Sequence, residues 1–205
     1  ALLSTLVLIP FYWGQDVSGF GGLILRNNFS LLLQLITLLC LLLVILYSHE
    51  YLRREQRHGA EYYGFILTAA IGMNIMMAAT DLMVVFLGME IMSLSLYVLV
   101  GFFKEVREGM EASLKYFLLG AFSSALFLFG IALIYGVSGG TSISGVGIFD
   151  GSIRGWFPLL FAAAALLFVG IGFKIAAVPF HMWAPDAYEG APVSIASLLS
   201  VAPQV

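Results

Sequence analysis

Charge is scarce in this 205-residue sequence: nine Lys or Arg and twelve Asp or Glu make up 10% of it, where an ordinary soluble domain carries about 25%. So few charges cannot coat a soluble globule of this length. Cysteine is scarcer still, a single Cys40 inside an apolar run. That excludes an internal disulfide, and no Cys/His cluster at metal-ligand spacing points to zinc or an iron–sulfur centre. The net charge is -3 and the basic residues form no patch, which argues against nucleic acid as a partner. No Gly-rich stretch follows a strand pattern, as a nucleotide site would require.

What is abundant is apolar: 61% of the residues are hydrophobic and the mean hydropathy is +1.01. Several apolar runs exceed the roughly 18 residues that mark a spanning helix. The sequence therefore predicts an all-α polytopic membrane protein, six to seven transmembrane helices forming a single transmembrane domain over 1–205. The spans are expected at 1–9 (partial), 29–48, 62–80, 82–103, 112–137, 156–183 (broken at Pro179) and 193–205 (partial). Thr80 and Asp81 form a very tight turn between two spans, and the Gly/Ser-rich stretch 138–155 reads as an external loop. The first residue is Ala1 and both ends lie in apolar runs, so the chain is expected to be a segment of a longer polypeptide. With alternating spans, Arg53, Arg54, Arg57, Lys104 and Arg107 collect on one side and only Arg26 and Arg154 on the other. Basic residues are retained on the cytoplasmic side, so the first side is expected to be cytoplasmic, with Asp186 and Glu189, and the Thr80–Asp81 turn outside.

Three charged residues fall inside spans: Glu90, Lys115 and Lys174. Each costs at least about 2.5 to 3.5 kcal/mol at the bilayer centre, so a merely structural helix has no reason to carry one. Glu90 lies about 12 Å along its helix at about 1.5 Å per residue, too deep for a short side chain to reach the interface. Ser93 and Tyr97 follow at i+3 and i+7 and share its face, giving a polar stripe on an otherwise apolar helix. Such a stripe lines a path or pocket, or serves a buried structural ion pair with a lysine. Lys115 can extend its ammonium towards the adjoining loop, or meet Glu90, since both helices reach the same short connection. A Glu–Lys pair in a low dielectric is electrically coupled, so a change in one alters the proton affinity of the other.

Lys174 sits in the stretch GFKIAAVPFHMWAPDAYEGAP, where Pro179 breaks the helix within the membrane and deprives the Ile175 carbonyl of its partner. Broken helices are tolerated where they line cavities. Burial disfavours the charged form of a lysine, so such a group can both release and take up a proton. His181 follows by seven residues, two helical turns on the same face, and an imidazole suits a proton relay. The alternative makes His181 an interfacial anchor beside Trp183. His49 and His58 read as solvated loop residues. The Ala run 162–165 and glycines 170 and 172 suit close helix packing.

The runs FLGMEIMSLSLYVLVGF (86–102), EASLKYFLLGAFSSALFLFGIALIYG (111–136) and GFKIAAVPFHMWAPDAYEGAP (172–192) together resemble the antiporter-like subunit N of bacterial respiratory complex I, the proton-pumping NADH:quinone oxidoreductase. The likeness extends over about 62–205. It implies an antiporter-like inverted-repeat fold, of which this chain would hold most of the first repeat. It also implies proton-transfer roles for Glu90, Lys115, Lys174 of the broken helix and His181 after it. The implied location is the bacterial inner membrane, with other membrane subunits of complex I and the lipid bilayer as partners. NADH and quinone would be bound by other subunits, with no cofactor and no redox chemistry in this chain. One departure stands out: Gln204 occupies the position of a family lysine, and a carboxamide carries no titratable charge. Two readings from other classes are a component of a cation/proton antiporter or of a related membrane-bound hydrogenase or dehydrogenase, and a structural membrane scaffold.

Overall fold

The structure, a computed structural model, describes residues 5–6, 8–54, 59–145, 156–201 and 203. Arg57, His58, Arg154 and Gln204 lie outside these residues, as does most of the expected 1–9 helix. Among the described residues there are seven α-helices: α1 (Asn28–Arg54), α2 (Ala60–Ala78), α3 (Leu82–Val100), α4 (Arg107–Ser138), α5 (Phe157–Lys174), α6 (Ala184–Gly190) and α7 (Val193–Val201). Four of them, α1, α3, α4 and α5, are long and apolar enough to cross a membrane by length and composition. The sequence predicts six to seven spans. Helix α2 falls short because Glu61, Tyr62, Tyr63 and Asn74 dilute its apolar residues, and α7 is described for only nine residues.

Outward faces carry the residues a soluble protein would hide. Leu43 is 67% exposed, Phe122 67% and Phe161 71%, whereas Leu41, Ile66, Leu96 and Ile131 inside the bundle are at most 1% exposed. Apolar surfaces of this extent are stable only against lipid or other apolar helices. The chain is a multi-pass helical membrane protein.

One end of the bundle is stitched by polar and backbone contacts. Asp81 caps α3 by accepting from the Met83 N–H at 2.8 Å, and accepts from the Thr141 hydroxyl at 2.6 Å. Thr80 donates its N–H to the Leu23 carbonyl at 3.1 Å and accepts from the Ile143 N–H at 2.9 Å. Leu23 belongs to a small antiparallel hairpin, β1 (Val17–Gly19) and β2 (Ile24–Arg26), in the Gly-rich stretch between the expected 1–9 and 29–48 spans. Three-residue strands have no periodicity to reveal them. The opposite, basic end gathers Arg53, Arg54, Lys104 and Arg107 at the ends of α1, α3 and α4.

The membrane helices approach closely where glycines meet. A Cβ built on Gly72 would lie 2.5 Å from the Gly88 carbonyl oxygen and 2.5 Å from the Met92 nitrogen. One on Gly88 would lie 2.8 Å from the Gly72 oxygen. Helices α2 and α3 therefore touch backbone to backbone, the contact that dispersion favours in lipid. Gly72→Ala is expected to destabilise the detergent-solubilised protein by about 1–3 kcal/mol, read as a lower Tm. Gly64→Ala, where nothing lies within 4 Å, is expected to leave Tm unchanged or raise it slightly.

Candidate functional site: a buried carboxylate and lysine between three helices

Glu90 stands at the middle of α3 and is half-buried. Its carboxylate accepts a hydrogen bond from Ser124 on α4. One turn along α3, Ser93 is fully buried and its hydroxyl donates to the Met89 carbonyl at 2.6 Å. A serine can donate once and still accept twice, and Ser93 accepts from Lys174 Nζ at 2.7 Å. Lys174 also donates to the Tyr97 hydroxyl at 3.1 Å. The i, i+3, i+7 stripe of α3 thus engages a residue of α5, and only 9% of Lys174 is exposed. Its direct hydrogen-bond partners are neutral hydroxyls, with the carboxylate of Glu90 one turn further along α3.

Helix α5 ends on Lys174, with Ile175 as its cap. The break therefore falls before Pro179, for a reason proline supplies: its ring excludes the helical position of the carbonyl four residues earlier, which is that of Ile175. The chain after the break covers the helix end. Ile175, Ala177 and Ala176 donate their N–H groups to the Ile171, Gly172 and Phe173 carbonyls at 3.1, 2.8 and 3.1 Å. The Trp183 indole donates to the Phe173 carbonyl at 2.8 Å. Ala176 turns the chain in the left-handed region, with φ of 52°. The ammonium thus sits where the carbonyl end of α5 carries partial negative charge, a favourable place for a cation.

Close approach again makes the arrangement possible. The Tyr97 hydroxyl occupies the space that a Cβ on Gly120 would need, and the Phe127 ring fills the equivalent space at Gly170. Towards the basic end the site is closed by aromatic rings. Tyr97 meets Tyr116 edge-on with centroids 4.5 Å apart, and Tyr116 stacks on Trp183 at 4.3 Å. Phe173 lies against both Tyr116 and Trp183.

Lys115 is not part of this cluster. It pairs with Glu111 at 2.9 Å and Asp186 at 3.0 Å, in a half-exposed group at the basic end. The expected meeting of Glu90 and Lys115 does not occur. Glu90 is bonded at the level of Ser124, nine residues further along α4, which is about 14 Å along the axis. The seven-residue spacing of Lys174 and His181 also loses its helical meaning, because α5 ends at Lys174. His181 lies in the irregular segment between α5 and α6, where it is exposed. Ser124 is the partner that sequence reasoning missed. Its one signal is the Ser123–Ser124 pair in the middle of an apolar helix. No group of three or more His, Cys, Asp or Glu that could hold a metal occurs among the described residues.

Known proteins share this arrangement of helices. A family model described as "NADH:quinone oxidoreductase/Mrp antiporter, TM" matches residues 79–205. NADH-quinone oxidoreductase subunit N 2 of Solibacter usitatus is 44% identical over 187 residues, covering 91% of this chain and 38% of the relative. Subunit N of Trichlorobacter lovleyi is 45% identical over 193 residues, covering 94% and 40%. This chain thus spans about two fifths of the length of the curated relatives it matches. Among solved structures, a chain of respiratory complex I from Thermus thermophilus superposes with a TM-score of 0.84 at 33% identity, covering 99% of this chain and 43% of that one. The residues that build the buried cluster all lie within the matched region, and the chain belongs to the NADH:quinone oxidoreductase/Mrp antiporter transmembrane family, with subunit N as the member it resembles.

Proposed function

We propose that the chain is part of a proton-translocating membrane subunit of an NADH:quinone oxidoreductase in a bacterial inner membrane, working beside other membrane subunits. NADH and quinone are bound elsewhere in that assembly, and this chain carries no cofactor and no redox chemistry. The observation that carries the reading is a carboxylate and an amine enclosed between α3, α4 and α5, Glu90 on Ser124 and Lys174 on Ser93 and Tyr97. Ionisable groups buried in hydrocarbon mark ion pathways and proton relays. Likeness to subunit N supplies the redox partner.

In this reading Glu90 and Lys174 share a field. They are the two proton-carrying groups of the relay, held at neighbouring turns of α3 by Ser124 and by Ser93 and Tyr97. Ser93 and Tyr97 are the hydroxyls through which the proton passes, since each can donate and accept. Lys115, with Glu111 and Asp186, presents charge at the basic end, outside the aromatic closure, where protons enter or leave. His181, exposed after the break, exchanges protons with the aqueous phase beside that end.

The family description also spans Mrp antiporter subunits, so a component of a cation/proton antiporter is the second reading. Sodium-dependent proton exchange in vesicles lacking redox subunits would favour it.

The test is proton pumping and NADH oxidation in inverted membrane vesicles, with assembly followed by native electrophoresis. Glu90→Gln and Lys174→Met are each expected to lower pumping about a hundredfold or more while the complex assembles, in the range that removing a proton-transfer group produces. Unaltered rates in either variant would count against the relay. Tyr97→Phe keeps the ring and removes one of the two hydroxyls on Lys174; a partial loss, smaller than that of Lys174→Met, is expected in the same assay. Lys115→Gln removes a half-exposed ion pair worth less than about 1 kcal/mol, so assembly should be intact and pumping reduced less than in Glu90→Gln.

A further inference from the structure

Away from the buried lysine, a cavity of about 740 Å³ opens between α1, α2, the hairpin and the N-terminal segment that carries Leu8, Ile9 and Tyr12. Its size falls within the range of small-molecule sites. Its lining is graded along the membrane normal. At the hairpin end stands Arg26, and within the next two turns come Gln34 of α1 and Asn74 of α2. Deeper, the walls are apolar, with Leu38 and Leu67 at the bottom. Leu38 is ten residues from the start of α1 and Leu67 eleven from the end of α2, each about 15 Å from the hairpin end at about 1.5 Å per residue. That is half of a hydrocarbon core about 30 Å thick, the depth of one leaflet.

The polar groups at the mouth have bonding capacity to spare. Arg26 lies 4.2 Å over the Tyr12 ring and is paired with no carboxylate among the described residues. Gln34 has no side-chain partner among the described residues. Asn74 spends one N–H on the Ala70 carbonyl at 2.7 Å, which leaves its oxygen and its second N–H unused. A guanidinium fork matches the oxygens of a phosphate, and two carboxamides beneath it match ester carbonyls or glycerol hydroxyls. An apolar trough one leaflet deep matches an acyl chain.

We infer that this cavity is a binding site for one anionic membrane phospholipid, its phosphate on Arg26, its glycerol region at Gln34 and Asn74, and an acyl chain against Leu38 and Leu67. The lipid fills the space between α1, α2 and the hairpin. It stands in the leaflet at the end of the bundle that carries Asp81, opposite the basic end.

The test is native mass spectrometry of the full-length protein in its membrane complex, taken from nanodiscs of equal phosphatidylglycerol and phosphatidylcholine and then delipidated with detergent. One retained phospholipid is expected, with phosphatidylglycerol favoured about tenfold, because the choline ammonium of phosphatidylcholine offsets the phosphate charge that Arg26 meets and weakens that charge-assisted contact. Arg26→Gln should abolish the preference, and Ile71→Trp, which fills the trough from an exposed position of α2, should abolish retention of both lipids. Equal retention of the two lipids by the unaltered protein would overturn the inference, as would absence of any retained lipid because another polypeptide fills the cavity. Displacement by free inorganic phosphate would overturn it too, revealing an anion site without a chain-binding trough.

Discussion

An amine held among apolar helices must be met by oxygen atoms, because an isolated charge in such surroundings costs more than a small protein's whole stability. Here the oxygens are the hydroxyls of Ser93 and Tyr97, one turn apart on α3. Everything near them serves that contact. Helix α5 must stop at Lys174 so that the ammonium lies at its carbonyl end, and the residues after the break must bond the exposed carbonyls of Ile171, Gly172 and Phe173. The proline that ends the helix and the hydroxyls that receive the lysine are therefore parts of one arrangement, though they lie on separate helices.

Space is the second constraint. A tyrosine cannot reach a lysine on a third helix unless the helix between them yields room. Gly120 provides it on α4, and Gly170 provides it for Phe127 on α5. The same device joins α2 to α3 at Gly72 and Gly88. In lipid, where burial of apolar area between helices gains little, such close approach and the hydrogen bonds it permits are the main sources of cohesion. Glycine thus acts twice, once to hold the bundle and once to shape the polar cluster.

Much of this was legible in the sequence, because hydrocarbon imposes strict rules on composition. The helical membrane character follows from long apolar runs. Glu90, Ser93 and Tyr97 follow from helical spacing, and Lys174 from its company with a proline. What sequence could not supply was axial level. Glu90 and Lys115 stand on consecutive helices joined by a short loop, yet the carboxylate is bonded at Ser124, while Lys115 turns to Glu111 and Asp186. Nor could spacing locate His181, because a period of 3.6 holds only while the helix continues, and this one ends earlier than its proline suggests. Ser124 was invisible for a related reason: a contact between helices leaves no mark in either helix alone.

The two ends of the bundle differ in what joins them. At the Asp81 end, the hairpin, the start of α3 and the segment after α4 are laced by Leu23, Thr80, Asp81, Thr141 and Ile143. At the other end, α6 lies against α4 through a glycine contact, where a Cβ on Gly109 would stand 2.9 Å from the Gly190 carbonyl oxygen, through the Tyr116–Trp183 stack, and through the half-exposed Lys115–Asp186 pair. Neutral hydrogen bonds hold the first end and packed rings and glycines the second, so only the ion pair answers to the salt of the medium. Raising ionic strength therefore weakens the Lys115–Asp186 pair alone, while the glycine and aromatic contacts keep α6 seated on α4.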